Sequence, residues 1–158
     1  MPAMINIAQV SKAFVKNGQS LSVLDDVSIS VQAGEFVALI GPSGCGKSTI
    51  LNMIAGLIAP DEGSLHYEGA PIDTVNTTVG YMTQSDSLLP WRTVEGNISV
   101  ALDIRDVEKA EKERRVREAI ETVDLVGFEA HRPHELSGGM RKRVLLARTL
   151  IYHPATLL

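Results

Sequence analysis

The sequence predicts an α/β protein, on three observations. Strand patterns fill the first forty residues, a continuous apolar run ends at a glycine-rich loop that opens directly into a helix, and the second half turns helical. Residues 5–10 read as the first strand, with Asn17-Gly18 as a hairpin turn after it. Val27, Ile29 and Val31 alternate with Ser28 and Ser30, the period of a half-buried strand. Gly34 breaks that pattern, and Phe36-Val37-Ala38-Leu39-Ile40 follows, apolar on both faces, as a strand covered on both sides of a sheet would be. It stops at Gly41-Pro42-Ser43-Gly44. Residues 48–57 then read as a helix with Ile50, Leu51, Ile54 and Leu57 on one stripe and Gly56 near its end.

Pro60-Asp61-Glu62-Gly63 marks a turn, residues 64–67 and 70–72 a hairpin around Glu68-Gly69, and residues 78–82 a further strand. In residues 108–123, Val116, Ile120 and Val123 share one helix face, while Glu111/Arg115, Glu113/Arg117 and Arg117/Glu121 sit four apart on the other. The glutamates between Lys112 and Arg117 make this cluster a solvated helix face rather than an anion-binding patch. Pro133 interrupts the chain, and Ser137 caps a last helix that runs to about Tyr152, before Pro154.

Composition bounds the function. The chain has 158 residues, 44% of them hydrophobic, and a formal net charge of −4. No apolar run approaches the ~18 residues of a membrane span, and the first residues lack the charged and apolar regions of a signal peptide. The acidic balance argues against a nucleic-acid partner, which calls for a basic footprint. Cys45 is the single cysteine, so no intramolecular disulfide can form, in keeping with a reducing compartment. A soluble, cytoplasmic protein is the expectation.

Gly41-Pro42-Ser43-Gly44-Cys45-Gly46-Lys47-Ser48-Thr49 matches G-x-x-x-x-G-K-[ST] between an expected strand and a helix. Glycines let the backbone curl so that successive N–H groups face an anion, and the helix start adds its positive end. Lys47 supplies a point charge for terminal phosphates, and the Ser48 hydroxyl is a ligand for Mg²⁺. Cys45 within this loop has two readings. One is a redox switch at a helix N-terminus, the other a small residue where only backbone matters; the absence of a resolving cysteine favours the second. A second constellation, Glu135-Leu136-Ser137-Gly138-Gly139-Met140-Arg141-Lys142-Arg143, places a hydroxyl and free N–H groups at another helix start.

Together these stretches resemble the ATP-binding cassette (ABC) ATPases. Residues 41–49 correspond to the Walker A loop, and Leu136-Ser137-Gly138-Gly139-Met140 to the LSGGQ signature with Met140 in place of glutamine. Tyr81-Met82-Thr83-Gln84 resembles the Q-loop, with Gln84 as its glutamine, and Phe14 falls where the family carries an aromatic that stacks on adenine, a core Phe on a strand being the alternative. Leu88-Leu89-Pro90-Trp91, together with Met140, is similar to the ATPases of nitrate, sulfonate and taurine importers. Trp91 is a candidate for contact with a permease or for cover over the core. His153-Pro154-Ala155-Thr156-Leu157-Leu158 resembles the opening of the Walker B strand, and the Asp, the general base and the switch His that follow it in the family are absent from this chain. Lys142 departs from the glutamine common two places beyond the signature.

The resemblance implies a P-loop NTPase core with an N-terminal antiparallel β subdomain and a helical signature subdomain, incomplete at its C-terminus. Residues 1–85 would form the β subdomain and loop core, 86–150 the helical subdomain, and 151–158 the start of the Walker B strand. It implies an ATP-binding, energy-coupling subunit of an importer for nitrate, a sulfonate or taurine, with ATP and Mg²⁺ as cofactors. Its partners would be a second ATP-binding subunit, a transmembrane permease and, through it, an extracytoplasmic solute-binding protein, with the protein peripheral on the inner face of the membrane. Lys47 and the loop amides would hold phosphate, Ser48 and Gln84 would meet Mg²⁺ and the attacking water, and Ser137 and Gly139 would reach the partner's nucleotide. Without the base, this chain alone is expected not to turn ATP over. Three other readings stand beside this one: a nucleotide kinase whose loop reads the same way, a non-transport cassette, and an inert fragment.

Overall fold

The computed structural model describes residues 3–83, 85 and 87–158, and falls into two compact units, Met1–Thr77 and Thr78–Leu158. Gln84 lies outside the described residues.

The first unit is built on a long hairpin. β1 (Ile5–Lys16) and β2 (Gln19–Val31) pair antiparallel from Ile5↔Val31 to Lys16↔Gln19. Asn17 and Gly18 join them, both at positive φ (54° and 77°), the backbone that a two-residue turn requires to match strand twist. The register slips between Ile7 and Ala13, and side chains take up amides in that stretch: Ser28 Oγ accepts from Gln9 N and Ser11 Oγ from Asp26 N. β3 (Glu62–Tyr67) and β4 (Ala70–Pro71) complete the order β2-β1-β3-β4. One face buries Ile5, Ile7, Val10, Leu24, Leu65 and Tyr67, and α1 (Lys47–Ile54) lies against β3 and buries Ile50, Met53 and Ile54. Gly56, at φ 69°, ends that helix where a Cβ would lie 2.0 Å from the Thr74 carbonyl oxygen.

Asp61 closes this unit's edge. Its carboxylate accepts from Ala13 N at 2.8 Å and from Lys12 Nζ at 2.6 Å, and the amide first, then the ammonium, holds its pKa below the ordinary 3.8. A lowered folded-state pKa contributes stability that is complete above the unfolded value and fades as pH falls through the folded one. Asp61→Asn should therefore lower stability slightly near neutrality and leave it almost unchanged well below the folded pKa, which flattens the acid limb of a denaturation-against-pH series below about pH 4.

Residues 36–40 correct one expectation. They form no strand; Phe36 and Ile40 are almost fully exposed, and no described strand pairs with them. A segment apolar on both faces becomes a central strand only where neighbours supply hydrogen-bonding partners and cover, and neither is present here.

The second unit is helical. α2 (Val94–Asp103), α3 (Lys109–Thr122) and α4 (Gly138–Leu150) surround a core of Leu88, Val94, Ile98, Leu102, Val116, Ile120, Leu125, Leu136, Val144, Leu145 and Ile151. Thr93, Glu108 and Ser137 cap the three helices, each side chain accepting a first-turn amide. β5 (Val79–Gly80) and β6 (Thr156–Leu157) form a parallel pair, and Tyr152 Oη donates to the Val79 carbonyl. On α3 the Glu111–Arg115 pair forms at 2.6 Å, but Arg114 also takes Glu111 and Glu118, and Glu113 meets Lys109. The two arginines hold Glu111 down to about 2. The one fully buried polar side chain among the described residues with no exposure at all is Asn97. Its Oδ1 accepts Leu89 N at 2.7 Å, and its Nδ2 reaches the carbonyls of Leu89, Arg92 and Thr93.

Candidate functional site

The loop 41–46 enters α1 through Gly46, which is buried and left-handed at φ 93°. A Cβ there would lie 2.6 Å from Leu24 Cδ2 and 3.0 Å from the Val23 carbonyl oxygen, so both the conformation and the space require glycine. Gly44 is left-handed as well, at φ 83°. No side chain caps α1, whose first amides have no partner within the helix. Lys47 curls back over the loop, its Nζ donating to the carbonyls of Gly41 at 2.9 Å and Pro42 at 2.7 Å. The result is a cation and a set of helix-start amides beside an exposed loop, with the Ser48 hydroxyl exposed and Thr49 half-buried behind it. Such an arrangement binds a polyanion such as a phosphate chain.

Pro42, Ser43 and Cys45 are exposed. The Cys45 thiol lies 3.5 Å from Lys47 Nζ, and a Cβ on Gly41 would come within 2.8 Å of that sulfur, so the thiol would have to turn aside. Phe14 is not a core residue: it is 38% exposed near the hairpin end, with Lys12 Nζ 5.7 Å from its ring centroid. Trp91 is not cover for the core either, being 70% exposed.

In the second unit, Leu136 is buried and anchors the stretch, while Ser137, Gly138 and Gly139 are exposed at the start of α4. Ser137 Oγ accepts from Met140 N at 3.2 Å, Met140 packs partly against the core, and Arg141 donates to the Leu136 carbonyl at 2.7 Å. Neither glycine has a positive φ; a Cβ on Gly139 would meet nothing within 4 Å, and one on Gly138 only the tip of Arg141 at 3.8 Å. Glycine in a helix costs up to about 1 kcal/mol against alanine, and nothing within this chain requires it at either place.

Sequence reasoning missed two residues near these stretches. Asn97 fastens 89–93 to α2. Arg148, in the last turn of α4, donates to the Ser87 carbonyl and to Ser87 Oγ, both at 2.9 Å. No helix among the described residues is long and apolar enough to cross a membrane, and no cluster of three or more His, Cys, Asp or Glu among them is placed to hold a metal.

Residues 24–158 match the family model described as ABC transporter. The chain is 44% identical over 154 residues to the aliphatic sulfonates import ATP-binding protein SsuB of Bacillus subtilis (strain 168), covering 98% of this chain and 59% of that protein. It is 41% identical over 150 residues to the taurine import ATP-binding protein TauB of Burkholderia pseudomallei (strain 1710b), covering 95% and 58%. A dimeric post-hydrolysis state of the ATP-binding cassette MJ0796, bound to ADP and Pi, superposes with a TM-score of 0.87 at 30% identity, over 96% of this chain and 71% of that one. The chain thus spans less than two thirds of the curated relatives it matches.

Proposed function

Since the chain belongs to the ABC transporter family of ATP-binding cassettes, we propose that it is the nucleotide-binding, energy-coupling part of an importer for a small organosulfonate. The observation that carries this reading is the loop 41–49: a left-handed Gly46 turns the chain into an uncapped helix start, with Lys47 folded back onto the carbonyls of the same loop. In this reading the loop amides of 43–49 and Lys47 hold the phosphates of ATP, and Phe14 stacks on the adenine. Ser48, at the first turn of α1, offers its hydroxyl to Mg²⁺. The absence of a carboxylate cage among the described residues suits a cation that arrives with the nucleotide and keeps water ligands. Held there by the Ser48 hydroxyl, Mg²⁺ would supply charge neutralisation at the phosphates. Gln84 orients the attacking water.

The exposed glycines support a role in trans. Ser137, Gly138 and Gly139 present bare backbone and a hydroxyl at a helix start, a surface on which a second subunit's nucleotide can sit at close range. Leu136 and Met140 on either side hold it to the core. The chain would therefore work as a homodimer, on the inner face of the membrane against a permease, with a solute-binding protein delivering cargo to that permease. The names of these relatives support a sulfonate as cargo, taurine being one. The nucleotide-kinase alternative is displaced by a family match that covers residues 24–158.

Gly139→Ala separates function from structure. An alanine meets nothing and raises helix propensity by up to about 1 kcal/mol, so the melting temperature of the full-length protein should hold or rise while ATPase activity falls. Unchanged activity would make the bare surface irrelevant. For the cargo, the full-length gene is placed in a strain lacking its own aliphatic sulfonate import ATP-binding protein, with sulfonate as sole sulfur source. Growth is expected; no growth, with the protein expressed, rejects the sulfonate assignment.

A further inference from the structure

Arg148 stands 61 residues from its partner and belongs to no motif that the chain displays. Its guanidinium uses two N–H groups on one residue, Ser87, reaching the carbonyl and the hydroxyl together. Ser87 Oγ lies 2.9 Å from Thr83 Oγ1, which itself donates to the Ser85 carbonyl at 3.0 Å. Each hydroxyl has one proton, so the directions are fixed. Thr83 spends its proton on Ser85, and Ser87 Oγ therefore donates to Thr83 while accepting from Arg148. Thr83 and Ser85 bracket position 84. At the other end of α4, eleven residues and about 16 Å away at 1.5 Å per residue, Ser137 caps the helix at the exposed glycine pair. Between them Val144, Leu145, Ala147 and Thr149 are buried, so a displacement imposed at one end of α4 would carry the other end with it.

We propose that Arg148 is a positioning residue that ties Thr83, Ser85 and Ser87, which lie on either side of position 84 in sequence, to the signature helix, so that a displacement of α4 at Ser137 is delivered to those three residues of the same chain. The inference rests on the nucleotide-dependent reading above and adds to it a path within one subunit. A point-charge ammonium cannot span both Ser87 oxygens as the planar fork does. Arg148→Lys therefore keeps the charge and most of the stem but breaks the path.

The test uses full-length wild type, Arg148→Lys, Ser87→Ala and the double variant. Hydrogen exchange of a peptide spanning 83–89 is recorded with and without Mg-ATP, beside steady-state phosphate release and melting temperature. In the wild type, Mg-ATP should change exchange at 83–89. In Arg148→Lys that response should vanish, kcat should fall about tenfold or more, and KM for ATP should stay within about twofold. The double variant should be no worse than Arg148→Lys, since both act on one link. Preserved response and kcat in Arg148→Lys overturns the inference. So does a general rise in exchange through α2, α3 and α4 with a proportionate loss of melting temperature, which would make Arg148 a structural staple only. A wild-type segment that ignores Mg-ATP also overturns it. A wild type with no ATPase activity removes the nucleotide reading first, and the inference with it.

Discussion

Lys47→Ala in the full-length protein should abolish the ATP hydrolysis proposed for it and leave the fold intact. The ammonium lies against the loop 41–46, and a charged contact to phosphate in such a place is worth about 1.5–3 kcal/mol or more in the ground state. Stabilising charge that develops in phosphoryl transfer adds to that, so a loss of at least about a hundredfold in turnover is expected. The structural cost is small. Lys47 Nζ donates to the carbonyls of Gly41 and Pro42, and both residues are exposed, so water takes over these acceptors when the side chain is cut back. Phosphate release and a thermal melt, run side by side, check both halves. Turnover like wild type would remove the loop from the chemistry, and a collapsed melt would make Lys47 a structural residue.

The largest stability effect is expected at Asn97. Its amide is fully buried and makes four hydrogen bonds to backbone groups of Leu89, Arg92 and Thr93. Asn97→Leu fills nearly the same volume with apolar atoms and strips those groups of their partner inside the fold. Buried polar groups left unsatisfied cost about 1–3 kcal/mol each where water cannot reach them, so a loss of roughly 2–4 kcal/mol is expected. Asn97→Asp should fare no better, because a carboxylate would point an acceptor at three carbonyls. Denaturant unfolding of the full-length protein measures it. A loss below about 0.5 kcal/mol, the size of an ordinary surface substitution, would show that the 89–93 segment does not depend on this side chain.

Much of the fold was written in local signals. Asn17-Gly18, Glu68-Gly69 and the alternation at 27–31 specify two hairpins because turn chemistry and period 2 act within a few residues. The helices α1, α3 and α4 follow from an apolar stripe with a glycine entry or a capping side chain at each start. α2 was hidden. Val94, Gly96, Ile98 and Val100 all lower helix propensity, and only its burial against α4 and α3 overrides them. Residues 36–40 erred in the other direction, since apolarity on both faces states what a segment needs and not whether a neighbour supplies it. Of the site, the loop and the serine–glycine pair were legible because their chemistry is contiguous in sequence. Asn97 and Arg148 were not, since a lone polar residue on an amphipathic helix carries no mark of a partner 8 or 61 residues away.

The central claim is that the loop of one subunit and the serine–glycine surface of another form one site. Phosphate release by mixed dimers of the full-length protein tests it most directly, with one parent carrying Lys47→Ala and the other Ser137→Arg. Every site in either parent homodimer has one defective half, so both should be inactive. A mixed dimer places both defects in one site and leaves the other whole. Random reassortment of equal amounts should restore up to about a quarter of wild-type turnover, half the dimers each keeping one of two sites. A mixture as inactive as its parents, or a Ser137→Arg homodimer with full activity, would contradict the account.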